Sequence, residues 1–188
     1  MKIVLDRLIS GFALVVLSPL ILLLILLIRI ESSGGGLFIQ ERVGLRRKIF
    51  LCYKLRTMAA GTVQAGSHEV SASAVTRVGK ILRATKLDEV PQLWNVVKGD
   101  MSLVGPRPCL PMQVELIEER KSRGVLEVLP GITGLAQVEG IDMSDPVRLA
   151  EKDADYIREH SFRLDMEILF RTVLGKGSGD RVRETQDN

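Results

Sequence analysis

The sequence predicts an α+β fold, mainly helical, with one short β-hairpin and an apolar N-terminal membrane helix. Three observations predict it. No charged residue occurs between Gly11 and Ile28. Apolar residues alternate with polar ones on both sides of Val43-Gly44-Leu45, which is the period of strands. From Val78 onward, segments with helical spacing are separated by short turns rich in Gly and Pro. The 188 residues are enough for one domain with a core and too few for two large ones.

The first element is the run GFALVVLSPLILLLILLI, flanked by Lys2, Asp6 and Arg7 on one side and by Arg29 and Glu31 on the other. It is too apolar for a surface helix. At ~1.5 Å per residue it reaches nearly the thickness of a bilayer's hydrocarbon core. A cleavable signal peptide fits poorly, because the run is long for that purpose and lacks a small-x-small pattern at its end. Ser18-Pro19 sits near its middle. Pro19 cannot donate a backbone hydrogen bond and bends a helix at the preceding turn, while Ser18 can satisfy a freed carbonyl. Two readings stay open: a kinked helix that spans, or a helix broken at Ser18-Pro19 that returns to the side it entered. The charges fit the second, since Lys2 and Arg7 before the run would share a side with Arg42, Arg46, Arg47 and Lys48 after it.

Ser32-Ser33-Gly34-Gly35-Gly36 is the clearest joint in the chain. It divides a membrane segment, residues 1–31, from a main domain, 32–175, with a polar tail at 176–188. The hairpin comes next, with Leu37 and Ile39 on one strand and Ile49, Leu51, Tyr53 and Leu55 on the other. Residues 59–76, rich in Ala, Gly, Ser and Thr, read as a mobile loop. A basic amphipathic helix is expected over 78–85, then one from about Asp88 to Val97, and the rigid sequence GPRP at 105–108. Another helix is expected over 111–122. The turn PGITG at 130–134 should lead into a strand over 135–138, followed by helices over 146–159 and 163–174.

Composition narrows the function. A net charge of +3 and a pI of about 9.0 suit phosphate ligands or an anionic membrane face. Aromatic residues make up 4% of the chain, which leaves little material for base stacking, so no nucleic-acid partner is expected. Cys52 and Cys109 have no CxxC partner, and His68 and His160 lie far from both in sequence. They read as buried thiols in a reducing compartment, not zinc ligands. Neither the scarce aromatics nor the 59–76 loop marks an oligomeric interface.

The residues that could carry chemistry lie in TKLDEVPQLWNVVKGDMSLVGPRP, 85–108. Pro91 fits a helix only in its first turn, which places Asp88 at or beside the N-cap with Glu89 following. The positive end of a helix keeps both carboxylates ionised and draws a phosphate to the same place. Adjacent carboxylates can then divide the work. One attacks phosphorus as a nucleophile and the other holds a divalent metal. Two carboxylates facing a diphosphate would repel it without a cation, so Mg²⁺ is expected at Asp88 and Glu89. Arg107, fixed between two prolines, is a candidate phosphate fork. Lys54 and Arg56 on the second strand should face one side together. As bare motifs these are weak, since Asp88 reads equally well as a helix cap and Lys54 as a solvated strand residue. A membrane-anchored adaptor fits the net charge and the anchor just as well. An adaptor, however, has no need to place two carboxylates beside phosphate-binding cations.

The apolar N-terminus with Ser18-Pro19, FIQERVG (38–44), KIFLCYKLRTM (48–58), LDEVPQLWNVVKGDMSLVGPRP (87–108) and PGITGLAQV (130–138) together resemble the bacterial sugar transferases, the monotopic phosphoglycosyl transferases in their minimal catalytic form. The resemblance covers about residues 1–175. It implies that Asp88 attacks the sugar-bearing phosphate of a UDP-sugar and expels UMP, and that undecaprenyl phosphate then takes the phosphosugar in a ping-pong scheme. It implies that Glu89 binds Mg²⁺ and that Arg107 and Lys54 hold phosphate. It also implies a re-entrant helix broken at Ser18-Pro19, dipping into one leaflet of the inner membrane with the catalytic domain on the cytoplasmic face. Two positions depart from the family pattern. Leu129 stands where a basic residue commonly precedes the PGITG turn, and Glu139-Gly140-Ile141 stands where the family commonly has Asn-Gly-Arg. Sugar identity, not reaction class, is what these departures put in doubt.

Overall fold

The computed structural model describes residues 2–62 and 74–175. Most of the 59–76 loop and the whole 176–188 tail fall outside these residues. The ends of the loop are joined: Ala59 N donates to Ala74 O at 2.9 Å, and Met58 bridges Val75.

Helix α1 runs from Lys2 to Glu31 without interruption, Pro19 included. Pro19 cannot reach back to the Val15 carbonyl, but the Ser18 hydroxyl donates to that same oxygen at 2.8 Å. The backbone group that a proline orphans is thus satisfied locally, and the helix passes through Ser18-Pro19 without losing a turn, which corrects the break expected there. Both ends are fastened to the rest of the protein. At the start, Lys2 Nζ lies 2.5 Å from Asp165 Oδ2, and buried Asp6 accepts from the Ser102 hydroxyl and the Leu103 N–H. At the end, Ile28 packs with Leu55 and Leu82, joined by Ile21, Leu24 and Ile25. The Glu31 carboxylate caps the next helix, accepting from Arg77 N at 2.7 Å and Val78 N at 3.0 Å. Between these anchors the outer face is bare: Phe12 and Val15 are each 74% exposed. The helix is long and apolar enough to cross a membrane. An uncovered apolar face of this length calls for lipid against it.

Strands β1 (Leu37–Val43) and β2 (Ile49–Leu55) form the expected antiparallel hairpin, in register from Leu37↔Leu55 to Val43↔Ile49. Their connection turns tightly through Arg46 and Arg47, both at positive φ. The alternation is inverted relative to a simple core-facing hairpin. Leu37, Ile39, Ile49 and Leu51 point outward, while Gln40, Arg42, Phe50, Cys52 and Lys54 are buried. The basic run after the membrane segment is accordingly divided. Arg42 is interior, and Arg46 and Arg47 form exposed pairs with Glu127 and Glu118.

Helix α2 (Arg77–Thr85) starts where predicted, with the Thr76 hydroxyl accepting from Gly79 N at 2.9 Å. Helix α3 (Leu93–Lys98) lies against α1, and β3 (Ser102–Val104) follows it. Helix α4 covers Val114–Ser122. The strand expected over 135–138 is corrected. It is the short helix α5 (Leu135–Val138), and the strand is β4 (Gly131–Thr133), parallel to β3. Leu135 and Val138 stand three apart, one helical turn, and both are buried. Gly131 permits the parallel pairing, because a Cβ there would lie 2.1 Å from Gly105 N. Helices α6 (Pro146–Glu159) and α7 (Phe162–Val173) are capped by the Asp145 and Ser161 side chains. Tyr156 and Ile168 from these helices pack with Val104, Leu135 and Val138.

Gly131→Ala should therefore push β3 from β4 and destabilise the protein by about 1–3 kcal/mol, read as a lower urea midpoint with unchanged slope.

Candidate functional site

Asp88 and Glu89 lie in a 3₁₀ turn, Leu87–Gln92, that leads into α3. This corrects the expectation of one helix starting at Asp88. Pro91 has no N–H and would crowd the carbonyl four residues back, so the chain takes the tighter turn before the α-helix begins. The residue that opens the turn is Lys86, in the left-handed region at φ 57°. Asp88 sits one residue inside the turn and is 9% exposed. So short a turn has little dipole, and the positive charge at the site comes from side chains.

Those side chains arrive from separate parts of the chain. Glu89 Oε1 lies 2.6 Å from Arg107 Nη2 and 3.3 Å from Lys54 Nζ. All three side chains are almost buried, at 13%, 12% and 10% exposure. Lys54 reaches this point because β2 turns it inward and because Asn95, fully buried on α3, grips that strand. Its carboxamide accepts from Tyr53 N at 3.1 Å and donates to Leu51 O at 2.6 Å. Lys86 adds a third cation nearby. Burial pushes its pKa down and Arg107 reinforces the shift, while Glu89 opposes it. The cluster also surrounds Cys52, whose thiol burial pushes up despite Lys54, Arg42 and Arg107.

The backbone on either side of Arg107 is tied at several points. Gly105 N donates to Thr133 O, Gly131 N to Pro106 O, and Val43 N to Cys109 O, each at 2.9 Å. The Arg107 and Pro108 carbonyls accept from Arg120 Nη1 at 2.8 Å and Arg42 Nη1 at 3.2 Å. The carbonyls of residues 106–109 are thereby all satisfied inside the protein.

Of the residues singled out from sequence, Glu89, Arg107 and Lys54 come together, with buried Asp88 adjacent in the chain. Arg56 does not. It lies just past the end of β2 and its guanidinium donates to the Ser32 and Ser33 carbonyls, closing off the end of α1. Its alternation with Lys54 ends where the strand ends. Lys86, Arg42, Asn95 and Arg120 were not among the expected site residues. An asparagine inside the apolar run of α3 was the one visible signal. The departures at 139 and 141 have local explanations: Glu139 pairs with Lys152 at 3.1 Å, and Ile141 packs against the core cluster of Val43, Leu116 and Leu149. Leu129 is half-buried.

Among the described residues no three metal-ligating side chains gather. Mg²⁺ seldom needs three, since it commonly takes one or two carboxylates and completes its shell with substrate phosphate and water. The Asp88–Glu89 pair fits that pattern, with Glu89 sharing one oxygen with Lys54 and Arg107.

An anchored apolar helix and a nearly buried Glu89 held between Arg107 and Lys54 fit a membrane-associated protein. Residues 1–176 match the family described as bacterial sugar transferase, and the chain belongs to that family. It is 39% identical over 89% of its length to a UDP-N-acetylgalactosamine-undecaprenyl-phosphate N-acetylgalactosaminephosphotransferase of Aeromonas hydrophila, of which it spans 41%. It is 41% identical over 92% of its length to a UDP-glucose:undecaprenyl-phosphate glucose-1-phosphate transferase of Caulobacter vibrioides, spanning 68% of that protein. It is 40% identical over 86% of its length to an uncharacterized sugar transferase of Bacillus subtilis, EpsL, spanning 80% of it.

The shared carboxylate sets an order of stabilities. Glu89→Ala leaves Lys54 and Arg107 facing each other in a nearly dry site and should cost about 3 kcal/mol. Lys54→Ala leaves Glu89 paired with Arg107 and should cost about 1 kcal/mol. Urea titrations of the two variants against the parent protein check the order.

Proposed function

We propose that this protein transfers a phosphosugar from a UDP-sugar to undecaprenyl phosphate and releases UMP, with Asp88 as the nucleophile. The observation that carries the reading is the buried Asp88 beside a Glu89 whose carboxylate is held by Arg107 and Lys54. An Asp88 oxygen attacks the sugar-bearing phosphorus, and the bond from that phosphorus to UMP breaks. The resulting aspartyl phosphosugar is attacked at the same phosphorus by an oxygen of undecaprenyl phosphate. That step forms the lipid diphosphosugar and frees the Asp88 carboxylate. Both attacking oxygens are already anionic, so neither step calls for a general base. Arg107 and Lys54 stabilise the charge that gathers on the transferred phosphoryl oxygens. Lys86 stands close enough to add to that field. Bound Mg²⁺, held by Asp88 and Glu89, would neutralise the donor diphosphate. The Aeromonas and Caulobacter relatives are both named for transfer to undecaprenyl phosphate, which supports the choice of acceptor.

The same reading includes a topology that is re-entrant in that both ends of α1 lie on the cytoplasmic side of the inner membrane, although the helix is continuous through Ser18-Pro19. It is supported by α1 being tied to one domain at both ends, through Lys2 and Asp6 at the start and through Ile28 and Glu31 at the finish. A helix that crossed the bilayer would have to release one of these anchors. The domain's reactive face then lies at the membrane surface, where a lipid-borne phosphate can reach it.

Two experiments test the proposal. With detergent-solubilised protein, Mg²⁺ and undecaprenyl phosphate, one UDP-sugar of a small panel should yield UMP. Asp88→Asn should yield none while remaining folded, and chelation of Mg²⁺ should stop the parent protein. A near-normal rate for Asp88→Asn refutes the nucleophile. For topology, Cys52 and Cys109 are buried, so a membrane-impermeant maleimide sees little background. A cysteine placed before Met1 and one at Lys121 should both stay unlabelled in intact cells and both react after permeabilisation. Opposite sidedness of the two refutes the re-entrant helix.

A further inference from the structure

Arg120 is a guanidinium inside an apolar interior. It is 2% exposed and lies on α4 beside Leu116 and Ile117, two members of the core cluster with Cys109, Leu149 and Ala150. Its partner Asp153, on α6, is 3% exposed. Burying such a pair brings no stability that a well-packed apolar pair of similar volume would not also bring. The geometry gives it a different use. Arg120 Nε and Nη2 both donate to one oxygen, Asp153 Oδ2, at 3.0 and 2.7 Å. That fork fixes the plane of the guanidinium, and its remaining arm, Nη1, is left pointing at the Arg107 carbonyl at 2.8 Å.

The target matters because of what surrounds it. Pro106 and Pro108 have their own φ angles locked, and Pro108 restricts Arg107 to extended backbone. Within that extended range, the Arg120 bond selects one direction for the Arg107 carbonyl. Holding that carbonyl sets the direction in which the Arg107 side chain leaves the backbone.

We propose that Arg120, oriented by Asp153, is a positioning residue that sets where the Arg107 guanidinium meets Glu89 and the donor's phosphate. The proposal rests on the reading of Arg107 as a phosphate-binding group. It touches no substrate itself; it acts through one backbone carbonyl from the far side of the GPRP loop.

The test uses the UDP-sugar that yields UMP and compares four proteins: the parent, Arg107→Ala, the apolar double variant Arg120→Leu/Asp153→Leu, and the triple variant combining them. The apolar double variant removes both charges together and leaves no charge orphaned, but it frees the Arg107 carbonyl. Its melting temperature should fall by only a few degrees, about what one lost hydrogen bond costs, while kcat/KM for the UDP-sugar falls about tenfold or more with a raised KM. A purely structural loss would lower the amount of active enzyme and leave KM unchanged. Arg107→Ala should lower kcat/KM less in the apolar background than in the parent, by at least about fivefold, because an already misplaced guanidinium has less to lose. Should the apolar pair fail to fold, Arg120→Lys serves instead. It keeps a charge beside Asp153 but lacks the planar fork, and the same raised KM is expected. Multiplicative effects of the two changes, or an unchanged KM, overturn the positioning role while leaving Arg107's own role standing. An Arg107→Ala protein with the parent's kcat/KM overturns both.

Discussion

The Glu89 carboxylate, shared between Arg107 and Lys54, is the interaction on which the rest depends. It joins a 3₁₀ turn, a proline-bounded loop and the end of a β-strand, three segments that are distant in sequence. Each group is nearly buried, so none could stand there alone without a large desolvation cost. The elements around them serve that meeting. Asn95 holds the strand that carries Lys54, and β3 and β4 hold the start of the loop that carries Arg107.

The membrane helix is part of this framework and not an appendage to it. Asp6 accepts from Ser102 and Leu103, the first residues of β3, and β3 runs directly into the GPRP loop. At the other end, Leu55 of β2 packs with Ile28, one residue beyond Lys54. Both arms of the site thus touch α1, near its two ends. A helix whose outer face is bare thus packs, on its other side, against the strands that carry the site.

The hairpin shows how function overrides pattern. A two-stranded sheet whose inner face carries Gln40, Arg42 and Lys54, with Leu37, Ile39, Ile49 and Leu51 outside, would be unstable if its polar groups lacked partners. They have them: Arg42 is bonded to Gln40 and to the Pro108 carbonyl, and Lys54 to Glu89. The inward face mixes these polar groups with Phe50 and Cys52, and it carries Lys54 to Glu89.

Much was legible in the sequence, for local reasons. The apolar run, the hairpin turn, the capped helices and the Asp88-Glu89-Pro91 and Pro106-Arg107-Pro108 segments all follow from periodicity or from proline's missing donor and locked φ, which act within a few residues. Their resemblance to a family assembled them into one site. Local signals could not show which face of the hairpin turns inward, that Arg56 turns away to the end of α1, or that residues 131–133 and not 135–138 form the strand. Those outcomes depend on which distant backbone comes close enough to bond: Gly105 against Gly131, Asn95 against β2, Arg120 against the Arg107 carbonyl. A hydrogen bond between residues far apart in sequence leaves no periodicity to read. The sequence by itself determined the elements and the reactive residue types; the tertiary structure decided which cations reach Glu89, because burial and long-range pairing are properties of the folded chain as a whole.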